Sequence, residues 1–264
     1  MNQPRLLFSI HVWEADADHD SLLAVALPEW DIIAVAAAPF DDSVTPRVRY
    51  EHWIETATSS IMAAQPDGPV HLLGWSLGGR LGYVVATRLE QLGRTIAFFG
   101  VIDAASEWPS LRPSSVSWLA RMLRAERTAG VRWNLIRRGP LSRILWRSKW
   151  ALSIFVPHRR RARLLKERPN GEIARYLNPS IVANMRVAAL IVLVESTIPV
   201  TVYATAVSAA SYQSPDLWWS TIVGEHCRVM PIFGNHVSLF DEEHRETLLG
   251  AIKATLPAVD LGGG

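Results

Sequence analysis

Cysteine is almost absent: Cys227 is the only one in 264 residues. A single thiol cannot close an intrachain disulfide, and it excludes a zinc site built on several thiolates. A reducing, cytoplasmic location is therefore expected. Lysine is scarce too, supplying three of the 27 basic residues. Long apolar runs are missing. The most apolar stretch, Val187 to Val194, is eight residues long and is closed by Glu195, against the roughly 20 that a membrane span requires. The run Leu6 to Ile10 behind the N-terminus lacks the longer apolar region and the cleavage site of a signal peptide. Hydrophobic residues nevertheless make up 49% and charged residues 20%, the balance of a globular protein with a sizeable core and not of a disordered or fibrous one. The length suits one large α/β domain.

The net charge of +2 hides a segregation. Residues 105–186 hold 18 Lys and Arg against 4 Asp and Glu, a net of +14, so the remainder stands at −12. Such a split marks an inserted segment with its own surface task, or a solvated helical face in an arginine-rich composition. No nucleic-acid partner is expected. Five of the eleven tryptophans, Trp108, Trp118, Trp133, Trp146 and Trp150, fall in the same segment.

Periodicity divides the rest into alternating elements. Strands are expected at Arg5–Val12, Asp31–Ala36, Val70–Leu73 and Thr95–Ile102, and helices at Asp18–Ala26, Val48–Ala64 and Leu77–Leu92. Gln65-Pro66-Asp67-Gly68-Pro69 stops the second helix and Gly93 the third. This order points to a mostly parallel sheet with helices on both faces. The alternation lapses over 105–186, where 115–128 and 131–155 read as amphipathic helices. It resumes with strands Val200–Thr205 and Cys227–Met230 and a last helix, Glu242–Ala254. The glycine-rich tail from Leu261 is expected to be disordered.

The sharpest local signal is Gly74-Trp75-Ser76-Leu77-Gly78-Gly79, a G-x-S-x-G pattern between a strand and a helix. A tight strand-to-helix turn exposes the serine hydroxyl and needs small residues on both sides. The helix start behind it offers backbone N–H groups to a developing oxyanion. A serine capping a helix in a glycine-rich turn is the alternative. A serine nucleophile also needs a base and an orienting acid. Of the eight histidines, His236 in Phe233-Gly234-Asn235-His236 lies just after the last strand, where catalytic groups tend to sit; His11, His71, His158, His226 and His244 fit less well. Two aspartates compete for the third place. Asp103 ends the fourth strand, where open α/β sheets put their sites. Asp216 follows the fifth strand after a loop, and it could instead cap the helix containing Trp218 and Trp219. Asp16, Asp18 and Asp20 alternate as in a calcium loop, but no Gly stands at its sixth position and no Glu at its twelfth. No metal site is expected.

His71-Leu72-Leu73-Gly74-Trp75-Ser76-Leu77-Gly78-Gly79 and Gly100-Val101-Ile102-Asp103 resemble the thioesterase domains that end nonribosomal peptide and polyketide synthases. Phe233-Gly234-Asn235-His236 is similar to that family's G-D-H segment, with Asn235 in place of Asp. The likeness is strong over 47–104, fair over 199–256 and weak between. It implies an α/β-hydrolase fold spanning 1–264, with a helical lid inserted at about 105–186. It implies a thioesterase in which Ser76 attacks an acyl, peptidyl or polyketide thioester on the phosphopantetheine arm of a carrier protein. The acyl-enzyme is then released by water or by an internal nucleophile, and no cofactor is bound by the domain itself. The family places the acid at Asp103, 27 residues after Ser76; stand-alone editing thioesterases place it after the later strand, which favours Asp216. The oxyanion donors would be the backbone N–H groups of Leu77 and Trp13. One departure stands out: His11-Val12-Trp13-Glu14 occupies the place of the family's H-P-x-G-G loop, and Glu14 would disfavour an oxyanion if it pointed inward.

The basic lid would meet an acidic carrier protein, with Trp118, Leu119, Met122, Trp133, Leu145 and Trp146 lining an acyl cavity beneath. Two other functions use the same residues. One is a free-standing esterase acting on free esters, since fold does not fix function. The other is an acyl-binding protein whose altered loop after His11 has weakened turnover.

Overall fold

The computed structural model describes residues 5–12, 17–36, 43–107, 184 and 186–257. The expected helices at 115–128 and 131–155, the cavity residues Trp118 to Trp146 and nearly all of the expected lid lie outside these residues. So do Trp13 and Glu14.

Six strands form one sheet: β1 (Arg5–His11), β2 (Trp30–Ala36), β3 (Val70–Trp75), β4 (Ile96–Ile102), β5 (Val200–Thr205) and β6 (Cys227–Ile232). Their spatial order is β2-β1-β3-β4-β5-β6, and every neighbouring pair is parallel. The strands read as apolar runs because helices cover both faces of a parallel sheet. The described helices include α1 (Ala17–Ala26), α2 (Pro46–Ala64), α3 (Leu77–Gln91), α4 (Ala206–Tyr212), α5 (Ser220–Val223) and α6 (Arg245–Thr255). No helix among them is long and apolar enough to cross a membrane.

The two faces separate by strand alternation. Phe8, Ile10, Leu72, Phe99 and Val101 pack on one side with Trp53, Ala57 and Ile61 of α2 and Leu81, Val85 and Leu89 of α3. Leu7, Leu73, Phe98 and Ile102 pack on the other with Leu23 of α1, Leu27 just after it, and Leu248 and Ile252 of α6. A register shift between Val70 and His71 interrupts the alternation of β4: Val70 pairs with Ile96 but His71 with Phe98, so Ile96 and Phe98 pack on opposite faces although two residues apart. Pro231 sits in β6, which among the described residues has a neighbour on only one side; an edge strand tolerates a residue without an N–H.

Most element boundaries fall within two residues of expectation. Two strands are longer than periodicity suggests: β3 runs through Gly74 to Trp75, and β6 through Pro231 to Ile232. Glycine and proline are poor strand formers by propensity, but here ladder pairing with β4 and β5 carries both strands on. The last helix starts at Arg245, because residues 235–244 are taken up by successive turns. The short helices α4 and α5 were not anticipated from periodicity. At seven and four residues, they are too short for a helical period to show. Their start is local chemistry: the Thr205 hydroxyl accepts from the Ser208 N–H at 3.0 Å and caps α4.

Helix α3 crosses the end of β1 very closely. A Cβ on Gly78 would lie 2.4 Å from the Ile10 carbonyl oxygen, and backbone cannot swing aside. Gly250 is the opposite case, exposed on α6 with nothing within 4 Å of a built Cβ. Gly78→Ala should therefore destabilise by about 1–3 kcal/mol through overpacking, lowering the Tm by about 2–10 °C at this chain length. Gly250→Ala should stabilise by roughly 0.5–1 kcal/mol through helix propensity. Thermal melts of the two variants check this; a Gly78→Ala protein as stable as the parent would contradict the close approach.

Candidate active site

Ser76 lies at the junction of β3 and α3 with φ +56° and ψ −124°. A non-glycine residue in this region is strained by roughly 1–3 kcal/mol and persists only where its surroundings fix it. They do so here from three sides. The Ser76 N–H donates to the Ile102 carbonyl at 3.0 Å, and the Ser76 carbonyl accepts from the Gly79 N–H at 3.0 Å. A Cβ on Gly74 would lie 2.6 Å from the Gly78 oxygen, so the chain can fold this tightly only with glycine before the serine. The turn makes Ser76 the N-cap residue of α3, yet its side chain makes no capping hydrogen bond.

The hydroxyl is engaged elsewhere. Ser76 Oγ is 2.9 Å from His236 Nε2, across 160 residues of sequence. His236 Nδ1 is 3.0 Å from Asp103 Oδ2. An ionised carboxylate only accepts, so Nδ1 carries the proton and Nε2 offers its lone pair to the serine hydroxyl. The His236 side chain is 44% exposed, whereas that of Asp103 has no exposure at all. The imidazole is thus open to solvent on one side, and the carboxylate lies buried beneath it.

Asp103 follows β4 and is also left-handed, at φ +48°. Its N–H donates to the Tyr203 carbonyl at 2.8 Å. Its Oδ1 accepts from the Thr205 N–H at 2.9 Å, and its Oδ2 from the Ser208 hydroxyl at 2.8 Å. Burial pushes this carboxyl upward, but the hydrogen bond and charge of His236, with the Thr205 and Ser208 bonds, outweigh it and hold Asp103 below the ordinary carboxylate value.

Asp216 is engaged in its own turn. It accepts from the Ser214 hydroxyl, from the Trp218 N–H at 3.2 Å and from the Ser220 N–H at 2.9 Å. Burial raises its carboxyl, and these bonds outweigh burial and leave it below its usual value. It caps the start of α5, a helix that begins one residue after Trp219.

The histidine loop is built on Asn235. Its Oδ1 accepts from the N–H groups of Val237 and Ser238 at 3.0 and 3.2 Å, an Asx turn that a carboxylate would make as well. Asn in place of the family's Asp thus keeps the acceptor and removes a charge. Gly234 turns the chain at φ +95°, where a Cβ would lie 3.0 Å from the His244 ring.

Leu77, the first residue of α3, is buried behind the serine, and its backbone N–H opens the helix. The other expected donor, Trp13, lies outside the described residues, as does Glu14. Their neighbour Val12 is described, and its carbonyl accepts from Asn184 Nδ2 at 3.0 Å.

Several features went unread in the sequence. His11 Nε2 lies 2.8 Å from both oxygens of Asp20, a pairing across nine residues. His19 stacks on Phe240 at 3.6 Å and meets the edge of Trp75 at 5.0 Å; Trp75 in turn lies 5.5 Å from the His236 ring. Thr205 and Ser208 around Asp103 were missed as well. A threonine three residues before a serine at the end of an apolar strand is a readable helix start, but nothing local ties it to a carboxylate 102 residues earlier.

Similarity to known proteins is found at two levels, sequence and fold. Enterobactin synthase component F of Escherichia coli (strain K12) is 32% identical over 113 residues, which is 42% of this chain and 8% of that protein. The chain thus spans under a tenth of that curated relative's length. A covalent complex of the NocB thioesterase domain with a fluorophosphonate nocardicin G analog superposes with a TM-score of 0.59 at 18% identity, covering 97% of this chain and 96% of that one. The thioesterase domain whose structure was described for the cyclization of the lipopeptide antibiotic surfactin gives 0.57 at 15% identity, covering 97% and 93%. At such identities the structural likeness is one of fold, the α/β-hydrolase fold. The sequence model of the Thioesterase domain family matches residues 5–256, and the chain belongs to that family.

Proposed function

We propose that this chain is a serine thioesterase that releases an acyl, peptidyl or polyketide chain from a phosphopantetheinyl carrier protein through an acyl-Ser76 intermediate. The observation that carries the reading is the helix cap left unmade: at the start of α3 the Ser76 hydroxyl turns away from the backbone toward His236 Nε2, 2.9 Å away. A capping serine would spend its oxygen on the N–H groups of the first turn.

The steps follow from the arrangement. Ser76 Oγ attacks the thioester carbonyl while His236 Nε2 takes its proton. The imidazolium so formed keeps its Nδ1–H on Asp103, whose charge stabilises it. The backbone N–H of Leu77, with that of Trp13, receives the oxyanion. Collapse expels the phosphopantetheine thiolate, which His236 protonates. Water or a nucleophile within the acyl chain then attacks the ester carbonyl, with His236 again as base. Hydrolysis and cyclisation differ only in that last acceptor. The family relationship and the synthase relative support a carrier-borne substrate; a free-ester esterase would use the same three residues.

Asp103→Asn should cost far more activity than Asp216→Asn, on the scale of about 10⁴-fold in kcat, because an amide cannot both orient the imidazole and stabilise its charged form. Ser76→Ala in the same series should abolish turnover and labelling by a serine-directed fluorophosphonate. Steady-state kinetics on a small acyl thioester reads all three variants. Greater damage from Asp216→Asn would transfer the acid to the later strand.

The net +14 of the arginine-rich segment 105–186 supports docking of an acidic carrier protein at this segment. Surface attraction of this kind decays over about 8 Å at physiological salt. Raising the ionic strength should therefore lower kcat/KM several-fold for an acyl-carrier protein and leave that of a small neutral thioester nearly unchanged. Replacing Arg159, Arg160, Arg161 and Arg163 by Glu should flatten the salt dependence. Equal salt responses for the two substrates would reject carrier docking at this segment and leave the esterase reading.

A further inference from the structure

Asp103 Oδ2 accepts two hydrogen bonds, from His236 Nδ1 at 3.0 Å and from the Ser208 hydroxyl at 2.8 Å. Oδ1 accepts the Thr205 N–H at 2.9 Å. The carboxylate is thus held by three donors, and two of them come from the junction of β5 with α4, an element that carries none of the three proposed catalytic residues. Ser208 is itself buried, and the Asp103 side chain has no exposure. Its N–H is fixed by the Thr205 hydroxyl at 3.0 Å, so the residue is anchored at the backbone and aims its hydroxyl at the acid.

We infer that Ser208 is a positioning residue of this site: by sharing Oδ2 with His236 it locks the carboxylate in one orientation and limits how strongly Asp103 raises the proton affinity of the imidazole. The inference rests on the reading of Ser76, His236 and Asp103 as a catalytic triad. The reasoning is electrostatic. A donor on a carboxylate oxygen draws off part of its charge, and the charge remaining on Oδ2 is what stabilises the imidazolium. With Ser208 donating, that oxygen divides its charge between two donors. Without it the full charge faces Nδ1–H, the imidazolium is favoured, and His236 stays protonated to higher pH. The base is then lost over part of the range in which it should work, since a general base is most effective with a proton affinity near the working pH.

The other groups around His236 leave this effect visible. The Ser76 hydroxyl faces Nε2, and the Trp75 ring lies against the imidazole at 5.5 Å. His19 of α1 is behind Trp75, stacked on Phe240. His244 lies under Gly234 before α6, with Nδ1 3.2 Å from the Ser238 carbonyl. Asp241, Glu242 and Glu243 follow on the same loop and are exposed. Asp103 is in ion-pair contact with the imidazole, at 3.0 Å.

The test is the pH dependence of labelling by an uncharged fluorophosphonate. Ser76 Oγ bonds to phosphorus, the P–F bond breaks, fluoride leaves, and the serine proton passes to His236. The rate therefore follows the fraction of neutral imidazole and does not depend on the natural acyl chain. Ser208→Ala should move the midpoint of the acid limb upward by about half to one pH unit, a three- to tenfold change in proton affinity. Ser208→Thr, which keeps a hydroxyl, should restore the parental midpoint. Ser208→Cys, close in size and a weak donor, should shift it upward as well and reads the effect if the alanine variant does not fold. An unmoved midpoint in Ser208→Ala or Ser208→Cys, even with a uniformly lower rate, would overturn the inference and leave Ser208 a packing residue. Absence of any label on Ser76 in the unaltered protein would instead defeat the triad itself.

Discussion

The close approach of α3 to the sheet is the constraint on which the site depends. Helix α3 starts directly from β3, in a turn so tight that Gly74 and Gly78 leave no room for a Cβ and Ser76 takes a left-handed conformation. The strain is held by bonds to neighbouring strands: the Ser76 N–H is tied to Ile102 at the end of β4, and Gly78 abuts Ile10 at the end of β1. The two buried faces fix those strands, so the serine inherits its position from the packing of the whole sheet. That is the physical sense in which a hydroxyl on a strained turn can be presented to a histidine 160 residues away.

Asp103 is placed by the same sheet. Strand order puts β5 beside β4, so the end of β4 carries Asp103 while the end of β5 supplies the Thr205 N–H and the Ser208 hydroxyl. A buried carboxylate is costly unless its lone pairs are met. Three donors meet them here and keep it ionised despite its burial. Asp216 shows the contrast: its bonds from Ser214, Trp218 and Ser220 come from residues within four positions in sequence, the mark of a turn-forming aspartate.

Much of this is legible in the sequence, and the limits have physical causes. The strands were readable because parallel strands buried on both faces are apolar runs. Gly74-Trp75-Ser76-Leu77-Gly78 was readable because its spacing is a steric requirement of the turn. The choice between Asp103 and Asp216 could not be made from local pattern: both aspartates follow strands, and what separates them is contact across β4, β5 and the histidine loop. The cradle of Thr205 and Ser208 and the His11–Asp20 pair are hidden for the same reason, since hydroxyls and histidines are common and only the fold brings them to a partner. The short helix α4 escaped because it is held by a cap rather than by an apolar period, and the helix read at Trp218 and Trp219 begins just after them, as α5. The replacement of Asp by Asn235 looked like a departure from the family pattern, but in the loop it needs only an oxygen acceptor, which Asn supplies.

The central claim is that Ser76 carries the acyl group between carrier and product. The most direct measurement is rapid-quench mass spectrometry of the protein mixed with an acyl-loaded carrier protein, followed by peptide mapping. The account predicts a transient mass increase equal to the acyl group, confined to the peptide containing Ser76 and gone at completion. Product release with no acylated protein at any time, or with the acyl group on another residue, would contradict it.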